Sequence, residues 1–334
     1  MKTTMKQADK MRRSVAAGIA AACCGLAFAA GTQAQDFPKG TVKIVVPGPA
    51  GSSIDNVARS LAEHLGEAWR GTTVIIENRP GASTTIGAAW VAKAPADGHT
   101  LLLTPTPFAQ TPFLYRHLPY DPVKSFAPVA QIADSQLWLG INSDIPAKSV
   151  GEFVALAKAA PGKYSYASAG AGTTLHLYGY ELAKRGRVDL MHIPYKGVPP
   201  AVIDVAGGRV SAVFAALSDL EPQVQAHKLR ILASSGAQRS SLTPDMPTLK
   251  ELGFDGFETA GFIGLFAPAG TPAPVVEQIA RTVSEAVATP RVAKSLAAFG
   301  YEPVRSSPQA FTALLKTQLE VWRRAISEAG VQME

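Results

Sequence analysis

Between residues 42 and 104 the chain alternates short β-rich runs with helix-spaced amphipathic segments, and this alternation constrains the fold most. Residues 42–46, VKIVV, read as a strand. From Ser53 onward, Ile54, Val57, Ala58, Leu61, Ala62 and Leu65 recur three and four apart, which predicts a helix with one apolar face. Residues 72–76 are the next strand. ENRPGASTTIGAAWVAKA then reads as a turn leading into a small-residue helix that ends near Ala94, and residues 100–104 form a third strand. Strand–helix alternation of this kind predicts a parallel sheet with helices on both faces.

An irregular piece with six prolines, 105–128, comes next, followed by two extended pieces over 129–141. From Ser149 the alternation resumes: a helix to 160, a strand 164–168, a helix 174–184, a strand 189–193, a helix 200–206 and strands 210–214 and 229–233. This reads as a second parallel unit. Residues 257–267 are extended, and 271–288, 291–299 and 308–329 carry helical spacing. Three helices at the end are expected to pack back on the first unit, so the chain crosses between units twice, near 130–137 and 257–264. The expected fold is α/β, with two doubly wound lobes joined by two extended crossings around a ligand cleft. Lobe 1 is assigned residues 35–133 plus 258–334, and lobe 2 residues 134–257.

Residues 1–34 read as a removable secretory signal peptide. Lys2, Lys6, Lys10, Arg12 and Arg13 precede an Ala-rich apolar run, and Thr32-Gln33-Ala34 supplies small residues for cleavage. The segment is too short for a comfortable membrane span. Both cysteines, Cys23 and Cys24, fall inside it, so the mature chain is expected to enter an oxidising compartment without disulfides. The segment's five basic residues and Asp9 give it +4 of the total +6, which leaves about +2 for the remainder. That charge, with no basic stripe interleaved with aromatics, gives no argument for nucleic acid.

Ligands in open parallel sheets bind beyond the carboxyl ends of the strands. Three strand-to-helix turns are alike there: GPAGSS (48–53), PGASTT (80–85) and SAGAGTT (168–174). Each combines Gly with hydroxyl residues just before a helix. Gly lets a ligand approach the main chain, and the unpaired N–H groups of a helix start, with its dipole, favour an anion without any Lys or Arg. Helix capping competes with that reading at every turn: Ser52 with Asp55 resembles a capping box, and Thr84, Thr85 and Thr173 are N-cap candidates. Because the first and third turns occupy corresponding places on different lobes, the ligand reading is favoured for those two.

Catalytic motifs fail on spacing. There is no G-x-S-x-G, since Tyr166 stands where the first Gly would precede Ser168. There is also no G-x-x-x-x-G-K-[ST], and Leu175 replaces the third Gly of a dinucleotide fingerprint. The six histidines show no metal spacing, so no metal and no cofactor is expected. A secreted α/β hydrolase using Ser52 or Ser168 is the alternative reading. His176 is open between the cleft and a packing role. Lys196, beside Tyr195, is open between an acidic ligand and solvent. Asp55 is open between a ligand amine and a scaffold role. The scaffold is favoured, because an unpaired carboxylate repels an anionic ligand.

Eight phrases in order resemble one family over essentially the whole mature chain: VVPGPAGSSIDNVAR, IIENRPGASTTIGAAWVAKAPADGHTLLL, YDPVKSFAPVAQI, YSYASAGAGTTLHLYGYEL, HIPYKGVPPAVIDVAGGRV, LRILASSGAQRS, PDMPTLKELGF and FIGLFAPAGTPAPVV. They are similar to the Bug receptors, the TctC-like substrate-binding proteins of tripartite tricarboxylate transporters. The resemblance implies a periplasmic solute receptor of the type II periplasmic-binding-protein class, not an enzyme, whose lobes close on one small ligand. The ligand is expected to be a small organic carboxylate or a related polar amide. The receptor is expected to act as a monomer and to hand its ligand to a membrane permease or signal to a sensor protein. Carried over by position, the ligand site becomes Pro49, Ala50, Gly51, Ser52, Ser53 and Asp55; Thr104 and Thr106; and Ser168, Ala169, Gly170, Thr173, Thr174 and His176, with Tyr195 and Lys196. Pocket size and Phe108, His176, Phe214 and Phe262 are expected to select the ligand. The sequence departs from the family at Ser52, where a second Gly is usual, and at Pro105 and Pro107, where small polar residues are expected.

Overall fold

In the computed structural model, which describes residues 37–258 and 261–332, β1 (Val42–Val46) lies between β2 (Val74–Asn78) and β3 (Thr100–Pro105), parallel to both. The expected signal segment, 1–34, lies outside the described residues. Helices α1 (Ser53–Ala68) and α2 (Thr85–Val91) connect these strands. All six apolar residues expected on the inner face of α1 are buried.

The remaining strands depart from the expectation of wholly parallel sheets. After α3 (Pro107–Leu114), β4 (Phe126–Ser135) joins the first sheet two places from β3. The chain then crosses through Gln136 and Leu137 to β5 (Trp138–Asn142) of a second sheet. That sheet is completed by β6 (Ser165–Ser168), β7 (Met191–Pro194), β8 (Ala212–Ala215) and β9 (Leu229–Ser234), in the order β7-β6-β8-β5-β9. Helices α4 (Val150–Ala159), α5 (Thr174–Gly186), α6 (Val198–Ala206) and α7 (Leu217–Gln225) connect its strands. The chain returns on β10 (Gly261–Pro268), which inserts between β3 and β4. After α8 (Ala273–Val287) and α9 (Pro290–Ala297), β11 (Tyr301–Pro303) closes the order β11-β4-β10-β3-β1-β2. Within the second sheet β6 is parallel to β7 and β8, but β5 is antiparallel to β8 and β9; likewise β10 is antiparallel to β3 and β4. These are the strands on which the chain enters one sheet from the other. No helical crossover precedes either, so nothing sets them parallel to their neighbours.

Two helices lie where none was expected. The proline-rich stretch contains α3, with Pro107 in its first turn. Pro112 inside it cannot donate to Phe108 O, its partner one turn back. The Thr111 hydroxyl donates to that carbonyl instead, at 3.0 Å. The second, α7, also tolerates an internal proline, Pro222.

Phe108 is fully buried, stacked on Tyr120 at 5.8 Å and packed against Phe126 and Phe266. The last helix, α10 (Pro308–Ala329), joins this cluster to the second sheet's layer. Phe311 packs on Phe262 and Phe266, and about three turns further along the helix Trp322 stacks on Tyr178 of α5. Tyr178 in turn meets Phe214 and Phe257. Phe108, Phe214 and Phe262 are therefore core residues and are not placed to select a ligand, as had been expected. Among the described residues no helix is long and apolar enough to cross a membrane. Phe108→Ala should lower stability by about 3–5 kcal/mol through the cavity it leaves. Ile203→Ser, on a side chain 57% exposed, should change stability by less than about 0.5 kcal/mol. Urea midpoints of the two variants check both values.

Candidate functional site

The first loop is shaped from below by Asp55. Its side chain is 1% exposed. Oδ2 accepts from Gly51 N at 2.8 Å and from Arg59 Nε at 2.9 Å, and Oδ1 accepts from Asn78 Nδ2 at 2.9 Å and from Arg59 Nη2 at 3.1 Å. Burial alone would raise the pKa of this carboxyl, but the hydrogen bonds from Arg59, Gly51 and Asn78 outweigh it and hold the group below its ordinary value. Asn78 also donates to Gly48 O at 3.0 Å, which ties the loop to the end of β2. Asp55 thus takes the scaffold role, with no lone pair facing outward for a ligand amine.

The hydroxyls of this loop are likewise turned inward. Ser52 occupies the N-cap position of α1 but does not cap it; its Oγ donates to Pro49 O at 2.7 Å. Ser53 Oγ lies 3.0 Å from the Tyr301 hydroxyl. The first N–H groups of a helix have no partner inside it, so α1 presents them without a side-chain acceptor at its N-cap. Pro49, Ala50 and Gly51 are exposed. Gly51 has φ +80°, and a Cβ built there meets nothing within 4 Å, so the space above the loop is open.

The second loop is more tightly bonded. Ser168 is fully buried; its Oγ donates to Gly170 O at 3.1 Å, accepts from Gly170 N at 3.1 Å and lies 2.7 Å from His192 Nε2. Thr173 caps α5: its Oγ1 accepts from His176 N at 3.4 Å and donates to Gly170 O at 2.7 Å. Gly172 N donates to His176 Nδ1 at 3.1 Å. His176 is buried beneath the loop and stacks on His192, with ring centroids 3.9 Å apart, and the Tyr166 ring lies near both, 5.0 Å from His192 and 6.3 Å from His176. Burial lowers the pKa of His176. Burial, and then the neighbouring His176, lower that of His192 to about 4. Ala169 and Gly170 are half-buried, and Gly170 adopts φ +126°.

Other expected site residues serve the frame. Thr106 Oγ1 accepts from Phe262 N at 2.8 Å and so anchors the start of β10. Thr104 is fully buried, and its hydroxyl is without a partner. Tyr195 N donates to Ser168 O at 2.9 Å, and its hydroxyl donates to Asp204 at 2.7 Å. Burial and that bond raise its pKa to about 12. Lys196 is exposed. The PGASTT turn carries three successive non-glycine residues at positive φ, Ala82, Ser83 and Thr84, and neither Thr84 nor Gly81 provides a side-chain cap. It shapes the scaffold beside α3, where Tyr115 donates to Ser83 at 3.4 Å.

Both loops lie where the two sheet layers meet. Gln110 of α3 donates to Thr174 Oγ1 at 2.8 Å, and a Cβ on Gly172 would lie 2.8 Å from Leu114. On the first-loop side, Tyr301 holds Ser53, and its neighbour Gly300 sits against Leu217 at the start of α7. Glu302 accepts from the hydroxyl of Ser240 at 2.5 Å, a further tie between the layers. Gln110, His192 and Tyr301 were not singled out in the sequence. Only His192 carried a signal, inside the phrase HIPYKG. A cavity of about 300 Å³ between α5, residues 255–258 and α10, lined by Glu181, Arg185 and Trp322 among others, lies elsewhere. Among the described residues no His, Cys, Asp and Glu cluster is arranged to hold a metal ion.

Residues 57–331 match the model of the tripartite tricarboxylate transporter family receptor. The periplasmic binding protein BugD is 34% identical, covers 89% of this chain with 100% of its own, and superposes with a TM-score of 0.71. A protein of R. palustris, solved with adipate, is 32% identical over 89% of this chain and 100% of that one, with a TM-score of 0.75. MatC from Rhodopseudomonas palustris, with bound malate, is 29% identical over 87% of this chain and 100% of that one, with a TM-score of 0.71.

Asp55→Ala should leave Gly51 N and Asn78 without their acceptor and cost about 1–3 kcal/mol at neutral pH. The carboxyl is held below its ordinary value of 3.8 in the folded state, so its contribution is complete above that pH and is lost as the pH falls through it and below. Melting curves should therefore separate wild type from variant at neutral pH and converge in acid.

Proposed function

The chain belongs to the tripartite tricarboxylate transporter family of receptors, and from that membership we propose that it captures a small organic carboxylate between its two α/β halves. It is a solute-binding receptor, not an enzyme. The observation that carries the ligand class is the first loop. Its carboxylate is engaged internally, its Ser52 hydroxyl turns back to Pro49 O, and the N-terminal N–H groups of α1 are left uncapped. An uncapped helix start with no fixed cation selects an anion by main-chain donors and dipole. The adipate- and malate-bound relatives support the same class.

In this reading the loop of Pro49, Ala50, Gly51, Ser52 and Ser53 takes one end of the ligand, with the N–H groups of Ala50 and Ser53 and the first turn of α1 as donors, since Pro49 has no N–H and the Gly51 and Ser52 N–H groups are bonded within the loop. Gly170, Thr173 and Thr174, in the loop set by Ser168 and Ala169, line the other. Asp55, Thr106, His176 and Tyr195 hold those surfaces in shape, and Thr104 lies at the base. Lys196, exposed after β7, is a peripheral contact. The lobes are 35–133 plus 258–334 and 134–257, hinged where the chain changes sheet. Closure is favoured only by a ligand that touches both. The receptor acts as a monomer in the periplasm, after removal of residues 1–34, and passes its ligand to a membrane permease or reports it to a sensor.

The Ser52 hydroxyl is bonded to the main chain of its own loop, and Ser168, although 2.7 Å from His192 Nε2, is fully buried, so neither is poised for hydrolysis. A melting-temperature screen over adipate, malate, amino acids, aromatic acids and the matching amides tests the ligand class. At about 100 times its Kd a native-state ligand adds about 2.7 kcal/mol. At least one acid should raise the melting point and its amide should raise it less; a screen in which no acid acts contradicts the proposal. Gly51→Ala should weaken the same acid about tenfold, because a side chain at φ +80° is strained and intrudes on the open face.

A further inference from the structure

The stacked histidine pair lies beneath the second loop, and two of that loop's glycines are tied to it. His176 Nδ1 accepts the Gly172 N–H at 3.1 Å, which fixes this ring as the neutral tautomer with its hydrogen on Nε2. His192 lies 3.9 Å away, face to face at 17°. The Ser168 hydroxyl accepts from Gly170 N at 3.1 Å and lies 2.7 Å from His192 Nε2, a bond whose donor is set by the His192 tautomer. The two rings therefore hold Gly170 and Gly172, two positive-φ glycines on either side of Ala171.

We propose that His176 and His192 are a positioning pair that keeps the second loop in its ligand-holding shape only while both rings are uncharged, so that ligand capture weakens as the pair takes up a proton. A proton on His176 Nδ1 would face the Gly172 N–H, donor against donor, and break the bond that sets the loop. A proton on His192 would place a charge on a half-buried ring in face contact with its neighbour, and two charged rings at that spacing repel. The surrounding groups offer no compensation. Tyr166 of β6 stacks on His192, and Tyr180 of α5 acts on Tyr166. The facing residue of α3 is the neutral Gln110. Along α5, Lys184 is paired with Glu328 of α10 and Arg185 with Glu181. After β7, Asp204 of α6 is engaged by Tyr195 and Arg209. Neither imidazole makes a hydrogen bond or ion pair to a charged side chain among the described residues. Burial lowers both pKa values, His192 to about 4 from 6.5. With folded values depressed, the neutral pair's contribution is complete above 6.5 and is lost as pH falls from there toward 4.

The inference rests on the assignment of this loop to the ligand site, and the test separates the two. The Gly172 amide resonance of the full mature protein, without ligand, should shift as pH falls below 6.5, the ordinary histidine value from which burial lowers His176, and be nearly flat in His176→Asn, whose side-chain oxygen replaces Nδ1 as acceptor without titrating. Adipate affinity should fall about tenfold over the same acid range in wild type and less than about twofold in His176→Asn. His192→Gln, which keeps a hydrogen-bond partner for Ser168, should also flatten the profile. A Gly172 resonance that ignores pH in wild type, or that moves equally in His176→Asn, overturns the proposal. If neither adipate nor any other acid binds at any pH, the ligand assignment fails, and the Gly172 resonance alone decides whether the pair positions the loop.

Discussion

A buried carboxylate, Asp55, sets the character of the first loop. One carboxylate is fully engaged by a backbone N–H, an amide and a guanidinium, so the loop above it keeps its shape without directing a charge outward. What remains on the working side is main chain: exposed Pro49, Ala50 and Gly51 and an uncapped helix start. A fixed negative charge there would repel an acid, and a fixed positive one would bind many anions alike. Oriented N–H groups instead fix geometry, which suits a receptor that discriminates among small acids.

The second loop reaches a related outcome by other means. Its helix is capped, by Thr173, and its glycines are held by Ser168 and the histidine stack. The two loops therefore differ in how they are held: the first by a carboxylate with its amide and guanidinium partners, the second by a buried network of neutral side chains. Both adjoin the seam between the sheets, where Gln110 to Thr174 and Ser240 to Glu302 make the cross-contacts. Helix α10 runs along the same seam, with Phe311 on the first sheet's aromatic cluster and Trp322 on Tyr178. Any relative motion of the halves has to carry or release that helix.

Local pattern made much of this legible in the sequence. The stripe from Ile54 to Leu65 fixed α1, and Gly with hydroxyl residues before a helix marked both loops. Chain direction was not legible: β5 and β10 look like any apolar strand, and only their arrival from the other sheet makes them antiparallel. Helix α3 was hidden because proline forbids an N–H bond, and the compensating Thr111 hydroxyl is a side-chain event that proline content does not reveal. Phe108, Phe214 and Phe262 were expected to help select the ligand, but β-strand and helix geometry turns them into the core. Ser52, a departure from the family's glycine, raised the question of a new ligand contact. Its hydroxyl answers the loop's own Pro49 carbonyl instead.

The central claim is that a carboxylate is held by main-chain donors of two loops on opposite halves. A crystal structure with adipate tests it most directly. One carboxylate should lie within hydrogen-bond distance of N–H groups among residues 50–55, with the rest of the molecule reaching the loop at 168–174 and no Lys or Arg contacting the first carboxylate. Adipate bound to one half only, or gripped at that end by an ion pair, would contradict it.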